Sequence, residues 1–188
     1  MGLNEGSAFV VSGPTAVGKG TILKNVLSKT DKLWYSVSAT TRSPRPGEVD
    51  GKDYFFVSSE EFDSLVESGG MLEWATVHRV HRYGTPRKAV EEAMAAGKKV
   101  ILEVDLDGAR QIRHSMPEAL QIFIAPPSWE ELKHRLVGRA TEGKEEQERR
   151  LETAKTELAA QSEFDVVIIN DSVADATAQI LQILGISE

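Results

Sequence analysis

"SGPTAVGKGT", residues 12–21, leaves the short apolar run AFVVS (8–12) and enters the amphipathic stretch KGTILKNVLSK (19–29). Strand, glycine loop and helix in that order read as a phosphate-binding loop. Glycines let backbone N–H groups turn inward around an anion, and the start of the helix adds the positive end of its dipole. The pattern G-x-x-x-x-G-K-[ST] is met at Gly13, Gly18 and Lys19, with Pro14, Thr15, Ala16 and Val17 between the glycines. It fails at its last place: Gly20 stands where a hydroxyl is expected, and Thr21 follows one residue late. The competing reading is a glycine-rich turn that binds nothing.

Working outward, the same kind of apolar run recurs as YSVS (35–38), KVILEVD (99–105), LQIFIA (120–125) and VVIIN (166–170). The runs are short, β-branched and nearly continuous, as strands buried on both faces are. Amphipathic stretches separate them. One runs from Pro86 to Ala96, with Pro86 at its start and Gly97 at its stop. Another covers 128–138, where Ser128 and Glu131 predict a capping box. A charged helix is expected over 145–161, and a last one over about 173–184, stopping at Gly185. The alternation predicts an α/β fold: a parallel β-sheet core flanked by helices.

Residues 39–85 break the rhythm. Pro44, Pro46, Gly47 and Gly51 precede YFFV, a helix capped by Ser58 with Glu61, a Gly69-Gly70 stop and MLEWATV. This reads as an insertion with strands of its own. RATEGKEE (139–146) is a second polar interruption, and both are candidate lids. Within the insertion, SATTRSPRPGEVDGKDYFF (38–56) sets Arg42 and Arg45 beside Ser38, Thr40, Thr41 and Tyr54. Guanidinium forks, hydroxyls and a phenol suit a phosphate monoester, although a solvated loop would have the same composition. EVDLDG (103–108) ends a buried strand on Asp105. An acid there is either a partner of Mg²⁺ or its water shell, or a helix N-cap.

Taken in order and at their distances, SGPTAVGKGT, SATTRSPRPGEVDGKDYFF, LEW, YGTP, LEVDLDGA, FIAPPS and VIIND resemble the guanylate kinase family over residues 8–184. The resemblance implies a P-loop NTPase-type core (about 7–38, 86–127 and 159–188), an inserted mixed α+β GMP-binding subdomain (about 39–85) and a helical lid (about 128–158). It implies transfer of the ATP γ-phosphoryl group to GMP or dGMP with Mg²⁺. Lys19, the loop from Gly13 to Thr21 and Arg139 would hold ATP, with Asn170 near the adenine. The Thr21 hydroxyl and N–H would face the α-phosphate. Ser38, Arg42, Arg45, Tyr54 and Tyr83 would hold the GMP phosphate. Glu73 and Thr85 would read the base, with Asp105 close by. Arg135, Arg139 and Arg150 would neutralise charge on the transferring group, alongside Lys19 and Arg42. No direct protein ligand to the metal is expected, and Asp105 would reach it through water.

Two departures stand out. Ala140 takes a place usually held by glycine, and the turn before Tyr83, in VHRVHRYG (77–84), is one residue longer than the family's. The latter carries His78, Arg79, His81 and Arg82 and reads as a solvated loop rather than a metal site.

A chain of 188 residues has a single-domain length. The absence of cysteine removes disulfides, thiolate metal sites and thiol nucleophiles. A net charge of −7 argues against a general nucleic-acid or anionic-membrane surface, and no apolar run is long enough to span a bilayer. A cytoplasmic monomer or weak homo-oligomer acting on small molecules is expected. The rival from another class is a non-catalytic interaction domain of similar fold, against which Lys19 and the arginine set argue. A P-loop kinase for another phosphorylated acceptor is the third reading, and Glu73 speaks against it.

Overall fold

The computed structural model describes residues 6–77, 80–137 and 144–186. Its centre is a five-stranded parallel sheet, ordered β2 (Leu33–Tyr35), β7 (Lys99–Glu103), β1 (Ala8–Ser12), β8 (Leu120–Ala125) and β9 (Val166–Ile169). Strand β1 lies in the middle and every one of its residues is buried. Its alternate side chains feed two cores. Phe9 and Val11 join Ile101, Ile122, Ile124 and Ile168 beneath α1 (Lys19–Ser28) and α7 (Val173–Ile183). Ala8 and Val10 join Val100, Leu102 and Phe123 beneath α3 (Arg87–Ala95) and α4 (Leu106–Ser115). Helices cover both faces, which is why these strands are continuous apolar runs.

Residues 39–86 carry a second sheet, ordered β4 (Phe55–Phe56), β3 (Ala39–Thr40), β6 (His81–Pro86) and β5 (Met71–Val77), with α2 (Ser59–Glu67) against it. The Ser58–Glu61 capping box of α2 is complete. Among the described residues, the unit's own core cluster has three buried apolar side chains, Ala39, Phe62 and Met71, while Leu72 packs into the main body. Burying a large apolar side chain stabilises by about 1.5–3 kcal/mol, whereas ordering backbone costs about 1–2 kcal/mol per residue. This unit therefore depends on the main body, and its attachment is specific. Gln111 of α4 accepts from Trp74 N–H and donates to Trp74 O, both at 3.0 Å. Ser115 Oγ donates to Leu72 O at 2.6 Å.

Several local expectations change. The strand expected over 35–38 is β2 and ends at Tyr35; the chain then leaves the large sheet to become β3 in the other. Pro86 closes β6 and caps α3 in an extended conformation, rather than starting the helix from within. The box at Ser128 is half made. Ser128 Oγ accepts from Glu131 N–H at 3.1 Å, but the Glu131 carboxylate takes the Arg135 guanidinium at 2.9 Å. This heads α5 (Trp129–Val137). The charged helix α6 (Lys144–Ala159) ends in a 3-10 turn, Ala160–Glu163. His81 and Arg82, expected in a loop, belong to β6, where pairing with β5 outweighs the poor strand propensity of HRYGTP. His78, Arg79, Arg139 and Ala140 lie outside the described residues. Among the described residues, no helix is long and apolar enough to cross a membrane.

Candidate active site

Loop geometry follows from the end of β1. Gly13 has φ 147°, and a Cβ there would fall 2.2 Å from the Ile124 carbonyl oxygen, so only glycine lets the chain turn beside β8. Ala16 is the one non-glycine residue at positive φ among the described residues. Gly18, also left-handed, caps α1. Alternating backbone hand of this kind points successive N–H groups into one concavity. Lys19 folds back over the loop, its Nζ donating to Gly13 O and, at 3.4 Å, to Pro14 O. Burial lowers the Lys19 pKa, and the carboxylates of Glu103, Glu157 and Asp105 oppose that shift.

A cavity of about 340 Å³ opens on this loop. Ala16, Gly18, Lys19, Gly20, Thr21 and Glu103 are in its wall. Thr21 lines this cavity, but its N–H donates to Gly18 O at 3.1 Å and so is engaged within the helix start. Asn170, at the end of β9, is 3% exposed; its Nδ2 donates to Val17 O at 2.7 Å, bracing the loop from behind. Its Oδ1 is buried with no hydrogen-bond partner among the described residues. Arg135 Nη1 reaches the same Val17 carbonyl at 3.3 Å. Arg150 lies on α6.

The second sheet holds the other cationic subsite. Arg42 lies with its Cζ 5.4 Å from the Tyr54 ring centroid, and Tyr54 meets Tyr83 edge-on at 5.8 Å. Arg42 Nε donates to Tyr83 Oη at 3.2 Å. The structure thus gathers Arg42, Tyr54 and Tyr83. Ser38, just before β3, accepts at its carbonyl from Phe55 N–H of β4, while the Arg45 side chain is exposed.

Base-reading candidates meet across the β5–β6 ladder, where Glu73 pairs with Thr85. Thr85 Oγ1 donates to Glu73 Oε1 at 2.6 Å. Burial raises the Glu73 pKa, the Thr85 hydrogen bond opposes this, and the charge of Asp105 adds to it. Asp105 caps α4, accepting from Gly108 N–H at 2.8 Å, so the N-cap alternative describes its local role. Its charge acts on both Lys19 and Glu73.

Three carboxylates and one amide stand at the site beyond the residues that the sequence marks. Glu48 grips Arg42 from both ends of its carboxylate. Glu103 accepts from Tyr35 Oη at 2.8 Å and lines the loop cavity, which Asp105 does not. Glu157 of α6 stands beside Lys19 and Thr15; burial raises its pKa and its Oε2 has no hydrogen-bond partner among the described residues. Gln111 holds Trp74, next to Glu73. Only Glu48 had a sequence signal, an acid three residues after Arg45 in an arginine-bearing turn.

A lysine-closed phosphate loop at the mouth of a parallel sheet, beside a second arginine subsite, defines a P-loop phosphotransferase with a phosphorylated acceptor. Comparison with known proteins narrows the class. The guanylate kinase family model matches residues 5–186. The chain is 58% identical over 177 residues to the guanylate kinase of Cutibacterium acnes, covering 94% of this chain and 89% of that one. It is 53% identical over 184 residues to that of a Mycobacterium species, covering 97% and 93%. The crystal structure of guanylate kinase from Anaplasma phagocytophilum superposes with a TM-score of 0.71 at 34% identity, over 97% of this chain and 86% of the other. A shikimate kinase from Bacteroides thetaiotaomicron, at 12% identity and TM-score 0.51, shares the fold alone. The chain belongs to the guanylate kinase family. It is an ATP-dependent phosphotransferase acting on GMP.

Proposed function

We propose that this enzyme moves the γ-phosphoryl group of ATP to GMP or dGMP by direct in-line displacement, with no covalent enzyme intermediate. The loop from Gly13 to Thr21 receives the triphosphate, and Lys19 leaves its loop carbonyls for the β- and γ-phosphates. Asn170 acts from behind the loop, at the adenine side. Arg42, Arg45, Ser38, Tyr54 and Tyr83 hold the acceptor phosphate. Arg135, Arg139 and Arg150 neutralise the charge on the group in flight. The 39–85 unit and a lid of about 128–158 close over the substrates and exclude water, which would otherwise hydrolyse ATP. The enzyme serves purine nucleotide metabolism in the cytoplasm, as a monomer or weak homo-oligomer, without nucleic acid or membrane.

The observation that carries the reading is the Glu73–Thr85 pair. A carboxylate accepts from guanine N1–H and N2–H₂ together, and adenine offers no such pair. A coupled assay of ADP formation tests it directly. GMP and dGMP are expected to support turnover, with AMP, CMP and UMP at least about 10³-fold poorer, since a site built to pair a polar edge rejects analogues lacking it. Comparable rates with AMP would sink the assignment of Glu73.

Glu103 and Asp105, whose charges act on Lys19, suit a Mg²⁺ carried on the phosphates of ATP. Mg²⁺ commonly keeps several waters and takes phosphate oxygens, so it needs few protein ligands. Glu103 and Asp105 would act on its water shell, and the ion would supply charge neutralisation at the β- and γ-phosphates. Gly20 offers a test, because a Cβ there meets nothing within 4 Å. Gly20→Ser should fit and lower the Mg²⁺ concentration for half-maximal rate by about three- to tenfold, the effect of one added ligand bond of roughly 1 kcal/mol. An unchanged or higher Mg²⁺ requirement would mean that the hydroxyl does not reach the ion.

A further inference from the structure

We infer that Glu48 is a positioning residue of the acceptor-phosphate subsite. It occupies the end of the Arg42 guanidinium and turns that group's other edge, with the Tyr83 phenol, toward the phosphate. This rests on the assignment of Arg42 to the GMP phosphate.

The five guanidinium N–H groups can be followed one by one. Nη1 donates to Glu48 Oε2 at 2.9 Å and to Ser43 O at 2.7 Å. Nη2 donates to Glu48 Oε1 at 2.8 Å. Nε donates to Tyr83 Oη at 3.2 Å. The remaining N–H is the second one on Nη2, on the edge that this nitrogen shares with Nε. The phenol oxygen accepts from Nε, so its own proton is left to donate. One guanidinium N–H and one phenol O–H therefore stand side by side, and the Tyr54 ring lies 5.8 Å from that of Tyr83.

Glu48 also binds the arginine segment together. Its Oε2 accepts from Arg45 N–H at 2.7 Å, and its own N–H donates to Arg45 O at 3.0 Å. Both arginine positions are thus referred to one carboxylate. The Arg42 guanidinium holds that carboxyl below its usual range, with the Arg45 N–H adding to the effect, so it stays ionised where the enzyme works. Without it, a long side chain with several rotamers would have to be ordered by the substrate itself, and the affinity for the phosphate would fall accordingly. The carboxylate does not compete for the phosphate, because it takes the edge the phosphate does not use.

Steady-state kinetics of Glu48→Gln, Glu48→Asp, Arg42→Ala and the Arg42→Ala/Glu48→Gln double variant, with GMP and ATP each varied, test this. Glu48→Gln is expected to raise KM for GMP by about tenfold, the size of one lost charge-assisted contact, while kcat and KM for ATP stay within about twofold. Glu48→Asp keeps the charge with a shorter reach and should fall between. In the Arg42→Ala background, Glu48→Gln should lose most of its effect, keeping only the part that its bond to Arg45 N–H carries, because the rest passes through Arg42. A fall in KM for GMP in Glu48→Gln would make the carboxylate a competitor of the phosphate and overturn the proposal, as would additive effects in the double variant or no effect in the single ones. If Arg42→Ala itself left KM for GMP unchanged, the assignment of this phosphate subsite would fail first, and the role of Glu48 with it.

Discussion

Lys19→Ala is expected to slow phosphoryl transfer by about 10²- to 10³-fold, the cost of removing one donor aimed at transition-state charge, while leaving GMP affinity within about twofold. The Lys19 ammonium rests on the Gly13 and Pro14 carbonyls, and Lys19 lines the cavity proposed for the triphosphate. The acceptor subsite proposed around Arg42, Tyr54 and Tyr83 belongs to another sheet and has its own cation, so GMP should scarcely register the loss. Single-turnover rates and a calorimetric GMP titration separate the two effects. Near-normal turnover would remove Lys19 from the chemistry. A pH signature accompanies the substitution. Burial lowers the Lys19 pKa, so the free enzyme loses this charge at a pH below the ordinary lysine range. As pH rises, kcat/KM for ATP should therefore decline earlier than an exposed lysine would allow, and that basic limb should vanish in Lys19→Ala.

Local signals made the phosphate loop and the central sheet legible. The glycines at Gly13 and Gly18 meet a backbone demand that no other residue satisfies at Gly13, and strands buried on both faces must be written as apolar runs. What escaped was decided by partners distant in sequence. HRYGTP holds a glycine and a proline and has little strand character, yet β5 supplies its ladder from Met71 to Val77. Helix α4 opens on LDGARQ, where a glycine three residues after Asp105 weakens any helical reading; the Asp105 cap to Gly108 N–H starts it nonetheless. The arginine segment announced its cations. It could not say that one of them would arrive paired, because the Glu48–Arg42 contact depends on how the turn closes. Gln111 and Ser115 look like ordinary helix surface until β5 is laid against them, and then they grip the strand on either side of Glu73. The Glu157 carboxylate reaches Lys19 only because α6 returns across the loop.

Glu73→Gln is expected to make the protein more stable and the enzyme worse. The carboxylate accepts from Thr85 Oγ1 on one oxygen, while the other lies where a Cβ on Gly108 would be 3.3 Å away. An amide in its place keeps one acceptor and turns a donor toward the donors of guanine. The kcat/KM for GMP should fall by about 10²-fold or more, since one lost bond and one unpaired buried donor each cost about 1–3 kcal/mol. The preference over AMP should shrink by a similar factor. Stability moves the other way. Burial is the largest influence on Glu73 and raises its pKa, so the fold favours the protonated acid. That preference is fully expressed below the unfolded pKa of about 4.3 and is lost as pH rises through the higher folded value. Above it, the native chain carries a poorly solvated charge, held for a substrate that supplies its partners. Glu73→Gln removes that charge, so its Tm should exceed that of the wild type at pH 7–8, with the gap closing toward pH 4. Saturating GMP should narrow the gap at pH 7–8 by stabilising the wild type more strongly. A lower Tm for Glu73→Gln at pH 7 would mean that the bond from Thr85 outweighs the cost of burial, and that this carboxylate is held for the fold rather than for the base.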